Sequence, residues 1–397
     1  MERYQALRHY LLIENQGRPV VASYCATFLK PEMLHIYRQI VSLQRVRPVV
    51  IAQKRENADR FPFQEIRVVK KPPLHFLRRI WFKQIADRPW KISARETHTL
   101  RGILTDVDAQ LLHVYFGHIA VLLLPLLETW SKPTLVSFHG ADVLVDMHKP
   151  AYRRATQQML AAVKGVLVRS ESLRRAVTDL GCPRGKIEIQ YTGIPLDEFP
   201  FRERTAPANG EWRLLQAGRL IEKKGIATSL RAFARFHQLF PNSAMTIAGE
   251  GPQLEELQTL VKQLGIASAV FFAGFVSQNK LRELFYSSQM FLHPSETGGD
   301  GNQEGVPNSM LEAMATGLPV FATRHGGIPE AVEHGASGVL VDERDDEALA
   351  KAIIPAAQHP ERLTQMGRAA AEHVAKKFEQ GERTRRLEEI YLRAIAH

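Results

Sequence analysis

The chain alternates between short, almost wholly apolar runs and longer stretches whose apolar residues recur every three or four positions. In the first half such runs lie at 20–28, 48–52, 110–113, 134–138, 165–170 and 187–190. In the second half they lie at 212–217, 245–248, 270–272, 290–292, 318–322 and 338–341. Between them, 30–44 carries Met33, Leu34, Ile36, Tyr37, Ile40 and Val41 at helical spacing; 253–264 and the terminal region 361–396 also predict helices. Apolar runs without alternation predict parallel strands covered on both faces. Strand, polar or glycine loop, and helix start then follow one another in both halves, which is the rhythm of a doubly wound α/β sheet. A chain of 397 residues exceeds one ordinary core, so two domains of similar size are expected. The pattern places the first at 1–199, a linker containing proline and alanine at 200–211, and the second at 212–375. No internal duplication is visible in the residues themselves.

The densest chemistry lies at 293–330. A strand ending at Leu292 passes into a glycine-rich polar loop, turns at Pro307, and enters a helix near Asn308 or Ser309. In doubly wound sheets, loops and helix starts gather at the strand carboxyl ends, where ligands bind. A helix start offers free N–H groups and a partial positive charge, and so suits a phosphate. Glu304 and Glu312 flank this start. Carboxylates there can accept hydrogen bonds from sugar hydroxyls at either end of a diphosphate, which points to a nucleotide-sugar. Ser309-x-x-Glu312 also fits a capping box, which would make Glu312 a structural residue. After run 212–217 comes Gly218-Arg219-Leu220-Ile221-Glu222-Lys223-Lys224-Gly225. Arg219 and Lys224 flank a strand-to-helix loop and can neutralise charge on a leaving diphosphate. Lys223 reads as a spectator.

The net charge of +10 is unevenly placed: residues 1–200 hold 30 basic against 18 acidic side chains, and 201–397 hold 22 against 24. Segment 66–101 alone carries ten basic residues against Asp87 and Glu96, interleaved with Phe76, Trp81, Phe82 and Trp90. On a helix, that mixture suits an anionic membrane interface or the pyrophosphate of a lipid-linked acceptor. The plain alternative is a helix with its aromatic face in the core and its basic face in water. No nucleic-acid-binding module is recognisable, so no nucleic-acid partner is expected. Cys25 and Cys182 make neither a disulfide framework nor a metal-ligand spacing, and a reducing cytoplasm is expected. The N-terminus lacks the apolar core of a signal peptide. The most apolar run, 119–127, is short and broken by Pro125. Asp106-x-Asp108 reads as a helix-to-strand turn, leaving no metal site in view.

Glu304-x7-Glu312, with Gly305, Pro307 and Ala313-Met314-Ala315-x-Gly317-x-Pro319-Val320, resembles the signature of the family-4 retaining glycosyltransferases. The loop from Pro294-Ser295-x-Thr297 through Asp300-Gly301 to Glu304 resembles the subgroup that assembles bacterial exopolysaccharides of the colanic-acid type. Gly218-Arg219-Leu220-x-x-x-Lys224-Gly225 is similar to the family's phosphate clamp, and His139-Gly140-x-Asp142 to its first-domain histidine motif. Tyr191-Thr192-Gly193-Ile194-Pro195 resembles its exit from the first domain.

The resemblance implies the GT-B fold: two Rossmann-like domains facing across a cleft, with a C-terminal helix, 376–397, returning to the first. It implies metal-independent transfer, with retention, from a UDP- or GDP-sugar to a glycan or lipid-linked acceptor. The expected setting is exopolysaccharide or lipopolysaccharide synthesis at the inner face of the bacterial plasma membrane. By the same resemblance, Arg219, Lys224 and the Asn308–Ser309 helix start hold the diphosphate in place of a metal. Glu312 takes the ribose hydroxyls, and Glu304 those of the transferred sugar, with the Gly305-Val306 backbone near the phosphates. His139 contacts that sugar from the opposite domain. Gly218, Gly249, Gly251, Phe275 and Val276 border the nucleotide, the Gly274-Phe275-Val276 loop lying beside its base. No general base stands out, and the departing phosphate would take the acceptor's proton. The loop at 27–32 lacks the glycine pair that many family members carry after the first strand. Two other classes share these features: a sugar-phosphate synthase or phosphorylase on the same fold, and a non-catalytic module that binds sugar nucleotides. An NAD enzyme is disfavoured, because no Gly-x-Gly-x-x-Gly follows the first strand.

Overall fold

Val20-Val21-Ala22 and Val49-Val50-Ile51-Ala52 are buried almost throughout, as strands covered on both faces must be. The computed structural model describes residues 17–30, 33–72, 75–143, 147–299 and 303–396. The N-terminal reading over 1–16, Pro31-Glu32 of the first loop and the Asp300-Gly301 part of the glycine-rich loop lie outside the described residues.

The chain forms two units, the first comprising 1–168, 174–190 and 381–397, the second 169–173 and 191–380. Unit 1 holds β1 (Val20–Phe28), β2 (Arg47–Arg55), β3 (Ile66–Val68), β4 (Ala109–Tyr115), β5 (Thr134–Phe138), β6 (Gly165–Val168) and β7 (Ile187–Ile189). They form one parallel sheet in the order β3-β2-β1-β4-β5-β6-β7. Unit 2 holds β8 (Arg213–Ala217), β9 (Ala244–Ala248), β10 (Val270–Gly274), β11 (Met290–His293), β12 (Val320–Thr323) and β13 (Gly338–Val341). These pair in parallel in the order β10-β9-β8-β11-β12-β13. Each sheet therefore reverses its winding once, between β1 and β4 and between β8 and β11. At such a switch point neighbouring loops part and leave a crevice at the strand carboxyl ends.

Three segments differ from the sequence reading. Segment 66–101 is not one helix. It divides into β3, the helix His75–Ile80, a π-helical turn Trp81–Ile85, and the helix Ala94–Asp106, which starts with a Ser93/Glu96 capping box. The expected linker 200–211 packs within unit 2. Arg204 is buried, and its guanidinium donates to Phe285 O and Thr316 Oγ1, both at 3.1 Å. Burial lowers the Arg204 pKa to about 10. The terminal region 361–396 is two helices, Pro360–Phe378 and Gln380–Ala396, so the last helix starts at Gln380 and not at 376.

The last helix is an integral part of unit 1. Leu387, Ile390 and Tyr391 join Val21, Leu111, Leu135 and Leu167 in one buried cluster. The Tyr391 hydroxyl lies 2.6 Å from Nδ1 of buried His113, and Glu388 Oε1 accepts the backbone N–H groups of Gln44 and Arg45. Burial of those apolar side chains, at about 1.5–3 kcal/mol each, dominates the attachment of this helix.

Candidate functional site

In unit 2 the loops after β8 and β11 meet at the switch point. The β8 loop leaves the sheet at Gly218 and makes a 3-10 turn, Glu222–Lys224; Gln216 Nε2 donates to Lys224 O at 2.8 Å and fixes it there. Gly249, at the end of β9, sits at φ +151°, and a Cβ there would stand 1.8 Å from Gly218 O. Only glycine lets the two loops approach so closely. The reason for Gly249 is therefore backbone against backbone.

The lysines of this turn converge on one carboxylate. Lys224 Nζ lies 2.7 Å and Lys223 Nζ 3.6 Å from Glu304 Oε1, and the Lys223 and Glu304 side chains are about nine-tenths buried. The spectator reading of Lys223 is corrected here, because the turn directs both ammonium groups to the same oxygen. Burial works to raise the Glu304 pKa, but the fields of Lys224 and Lys223 outweigh it and hold the group at about 2. Burial lowers the Lys223 pKa, while the attraction of Glu304 opposes that shift. Arg219 is exposed on the same loop and adds to the positive field at Lys223.

The helix Asn308–Ala315 begins beside this cluster, directly after Pro307, with no side-chain cap. Ser309 does not cap it. Its hydroxyl donates to Ala217 O at 3.0 Å and pins the helix start to the end of β8. The capping-box reading of Ser309 and Glu312 thus fails: the N-cap position is Pro307, which places Glu312 on the second turn, buried at 5% exposure. Uncapped N–H groups, two lysines and two carboxylates therefore share one rim, an arrangement able to hold an anion and hydroxyl-bearing groups together.

The other expected residues are spread along the same edge or lie in unit 1. Gly305 and Val306 are buried between Glu304 and the helix start. Gly251 and Val276 are half-buried, and Phe275 is 55% exposed, so its ring is not core packing. Its backbone N–H donates to Glu250 Oε1 at 3.2 Å. His139 belongs to unit 1, on the loop after β5. Its Nε2 is 2.9 Å from Ser137 Oγ, its Nδ1 is 3.3 Å from His35 Nε2, and its ring packs on Phe116. Asp142 of the same motif is buried and accepts the backbone N–H groups of His139, Gly140 and Gly117 at 2.8–2.9 Å, fixing the loop shape. His118 is exposed and starts the helix Gly117–Leu122. Unit 1 also holds a cavity of about 290 Å³, lined in part by Lys71, Arg79, Trp90, His118 and Asp142.

Two histidines of unit 2 escaped the sequence reading. His293 ends β11, is fully buried, and neither ring nitrogen has a partner among the described residues. Burial, then the field of Lys224, lowers its pKa to about 3, so it is neutral. His325, on the loop after β12, is also buried, with Nε2 3.0 Å from Glu304 N and Nδ1 2.7 Å from Glu343 Oε1. Its only sequence signal was its place beside Gly326-Gly327 at a strand end.

Comparison with known proteins decides the family. The model of glycosyl transferases group 1 matches residues 197–373, and that of glycosyltransferase family 4 matches 33–198. The amylovoran biosynthesis glycosyltransferase AmsK of Erwinia amylovora is 32% identical over 288 residues, covering 71% of this chain and 70% of its own. The chain belongs to the group 1 glycosyltransferases. A putative colanic acid biosynthesis glycosyltransferase, WcaL of Escherichia coli, is 33% identical over 248 residues, 61% of this chain and 60% of that protein's length. Among solved structures, Anabaena HepE in complex with UDP and glucose superposes with a TM-score of 0.75 at 17% identity, over 94% of this chain and 98% of that one. The fold of this glycosyltransferase is therefore GT-B.

Proposed function

We propose that this glycosyltransferase moves a sugar from a UDP- or GDP-sugar to a glycan or lipid-linked acceptor, in the making of a bacterial surface polysaccharide. The observation that carries the donor reading is the buried Lys223–Lys224–Glu304 cluster beside an uncapped helix start at the switch point of unit 2. In this reading Lys224, Arg219 and the N–H groups of 308–309 take the diphosphate. Glu304 takes hydroxyls of the transferred sugar and Glu312 those of the ribose. Gly218, Gly249, Gly251, Phe275 and Val276 border the nucleotide.

As the bond from C1 to the leaving diphosphate oxygen breaks, negative charge grows on the diphosphate, and fixed cations stabilise it there. The acceptor oxygen bonds C1 on the same face, and its proton passes to the leaving diphosphate, giving retention without a separate base. The cations and helix start supply the charge that a metal supplies in other transferases, so turnover is expected to persist in EDTA. The names of the amylovoran and colanic-acid relatives support a polysaccharide setting.

For the acceptor, the unit 1 cavity pairs apolar walls with Lys71 and Arg79, and Trp90 Nε1 is buried with no hydrogen-bond partner among the described residues. These features suit an anionic, partly apolar molecule. No helix among the described residues is long and apolar enough to cross a membrane. Phe76, Leu77, Ile80, Trp81 and Ile85 are nevertheless 43–71% exposed beside Arg79, which supports peripheral docking on an anionic bilayer from the cytoplasmic side. A thermal-shift series with UDP-glucose, UDP-galactose, UDP-N-acetylglucosamine and GDP-mannose tests the donor reading. A ligand at a hundredfold excess over its dissociation constant adds about 2.7 kcal/mol of apparent stability. No shift with any of them would overturn it.

A further inference from the structure

Glu304 is fixed through its backbone as well as its side chain. Its N–H points at His325 Nε2, 3.0 Å away. A backbone N–H can only donate, so Nε2 must carry a lone pair and the ring proton must sit on Nδ1. That proton faces Glu343 Oε1 at 2.7 Å, and Glu343 Oε2 in turn accepts the N–H of Thr297 at 2.7 Å. One His–Glu pair therefore holds both ends of the glycine-rich loop, at residues 297 and 304, from the two strands next in the sheet. The pair is built on parallel register: β12 and β13 end side by side at Thr323 and Val341, each two residues before its partner in the pair. Gly326 completes the fit. At φ +54° its own Cβ would lie 2.3 Å from Glu304 O, so the His325 turn lies directly against the Glu304 backbone.

We infer that His325 and Glu343 are positioning residues for sugar selection: they set the height and direction of Glu304 toward the hydroxyls of the transferred sugar. The inference rests on the donor reading above. The pair acts chiefly on the sugar end of the site: the Lys224 backbone and the helix start are held by other contacts, through Gln216 and Ser309, and a Glu304 carboxylate moved by about 1 Å keeps its charge beside Lys224 Nζ. A carboxylate displaced by about 1 Å can cost on the order of a hundredfold in rate. The tautomer matters as well. A glutamine at 343 that keeps its oxygen on Thr297 presents its amide N–H₂ to His325, which moves the ring proton to Nε2 and opposes two donors at Glu304.

The test measures the nucleoside diphosphate and the sugar nucleotide separately, using UDP with UDP-glucose and GDP with GDP-mannose. In His325→Ala and Glu343→Gln, kcat/KM for the sugar nucleotide should fall about 10- to 100-fold, while the Kd of the free diphosphate moves by less than about threefold. His325→Gln, whose side-chain oxygen can reach the Nε2 position and accept from Glu304 N–H, should recover most of the loss. Equal losses for both ligands, no loss for the sugar nucleotide, or no recovery with His325→Gln would each overturn the inference. Failure of the unaltered enzyme to bind either ligand would instead remove the donor reading, and this inference with it.

Discussion

Replacing Glu304 by Gln should tighten binding of the free nucleoside diphosphate while it destroys turnover. Lys224 Nζ lies 2.7 Å from Glu304 Oε1, so a diphosphate that takes Lys224 must draw that charge away from its partner. The size of this competition follows from the carboxylate's pKa, which falls from the ordinary 4.5 to about 2 even though burial opposes the fall. A shift of that size corresponds to about 3 kcal/mol of net attraction between Glu304 and its cations. Lys223, 3.6 Å away, shares that attraction and stays behind when Lys224 turns to the phosphate. Roughly half is then at stake, about 1–2 kcal/mol, or on the order of tenfold in Kd. Titration calorimetry of UDP and GDP with the two proteins reads it directly. The variant should bind the preferred diphosphate about tenfold more tightly, and its kcat for the sugar nucleotide should drop by at least about a hundredfold. A diphosphate affinity that is unchanged or weaker in Glu304→Gln would refute the view that Lys224 is shared between carboxylate and phosphate.

Arg219 is exposed, so Arg219→Ala should leave the melting temperature within about 2 °C and lower kcat by about a hundredfold or more; equal activity would remove it from the site. Because the folded-state pKa of Glu304 is depressed, the stability it contributes is fully present above 4.5 and is lost as the pH falls toward about 2. Urea unfolding should therefore show the native enzyme losing about 2 kcal/mol more than Glu304→Gln between pH 6 and pH 3. Replacing Arg79 by Gln together with Trp81 by Ser should weaken sedimentation with phosphatidylglycerol vesicles and leave the Kd of the free nucleotide unchanged; unaltered sedimentation would make that surface an ordinary solvated one.

Much of the fold was legible because parallel strands covered on both faces must be apolar at every position, and such runs stand out without any periodicity. Gly218, Gly249 and Gly326-Gly327 marked the strand ends, and at Gly249 and Gly326-Gly327 backbone approaches backbone too closely for a Cβ. What misled was local chemistry with a tertiary answer. Segment 200–211 is polar and proline-containing, yet it packs on unit 2 because Arg204 finds two buried oxygen acceptors. Ser309-x-x-Glu312 fits a capping pattern, but the serine hydroxyl is used on Ala217 O, across the sheet edge. His325 and Glu343 lie 18 positions apart, and only the β12–β13 register brings them together.

The charge balance of the halves says little about the donor site. Counted by halves, the chain places its excess of cations in residues 1–200, and 201–397 is slightly acidic. The candidate donor site nevertheless lies in the second half, because an anion responds to charge within a few ångströms and screening removes most of the rest. Around Glu304 two ammonium groups face one carboxylate, and with the Arg219 guanidinium and the Glu312 carboxylate the rim carries three cations against two anions. Lys223 supplies the excess. With one lysine, Glu304 and its partner would form a closed neutral pair, and a diphosphate would have to leave a buried carboxylate uncompensated, at a cost of several kcal/mol. With two, the proposed roles are compatible: the diphosphate would take Lys224 while Glu304 keeps Lys223. The second lysine, which the spacing of the motif made look redundant, would then let one turn serve a phosphate and a sugar-binding acid at the same time.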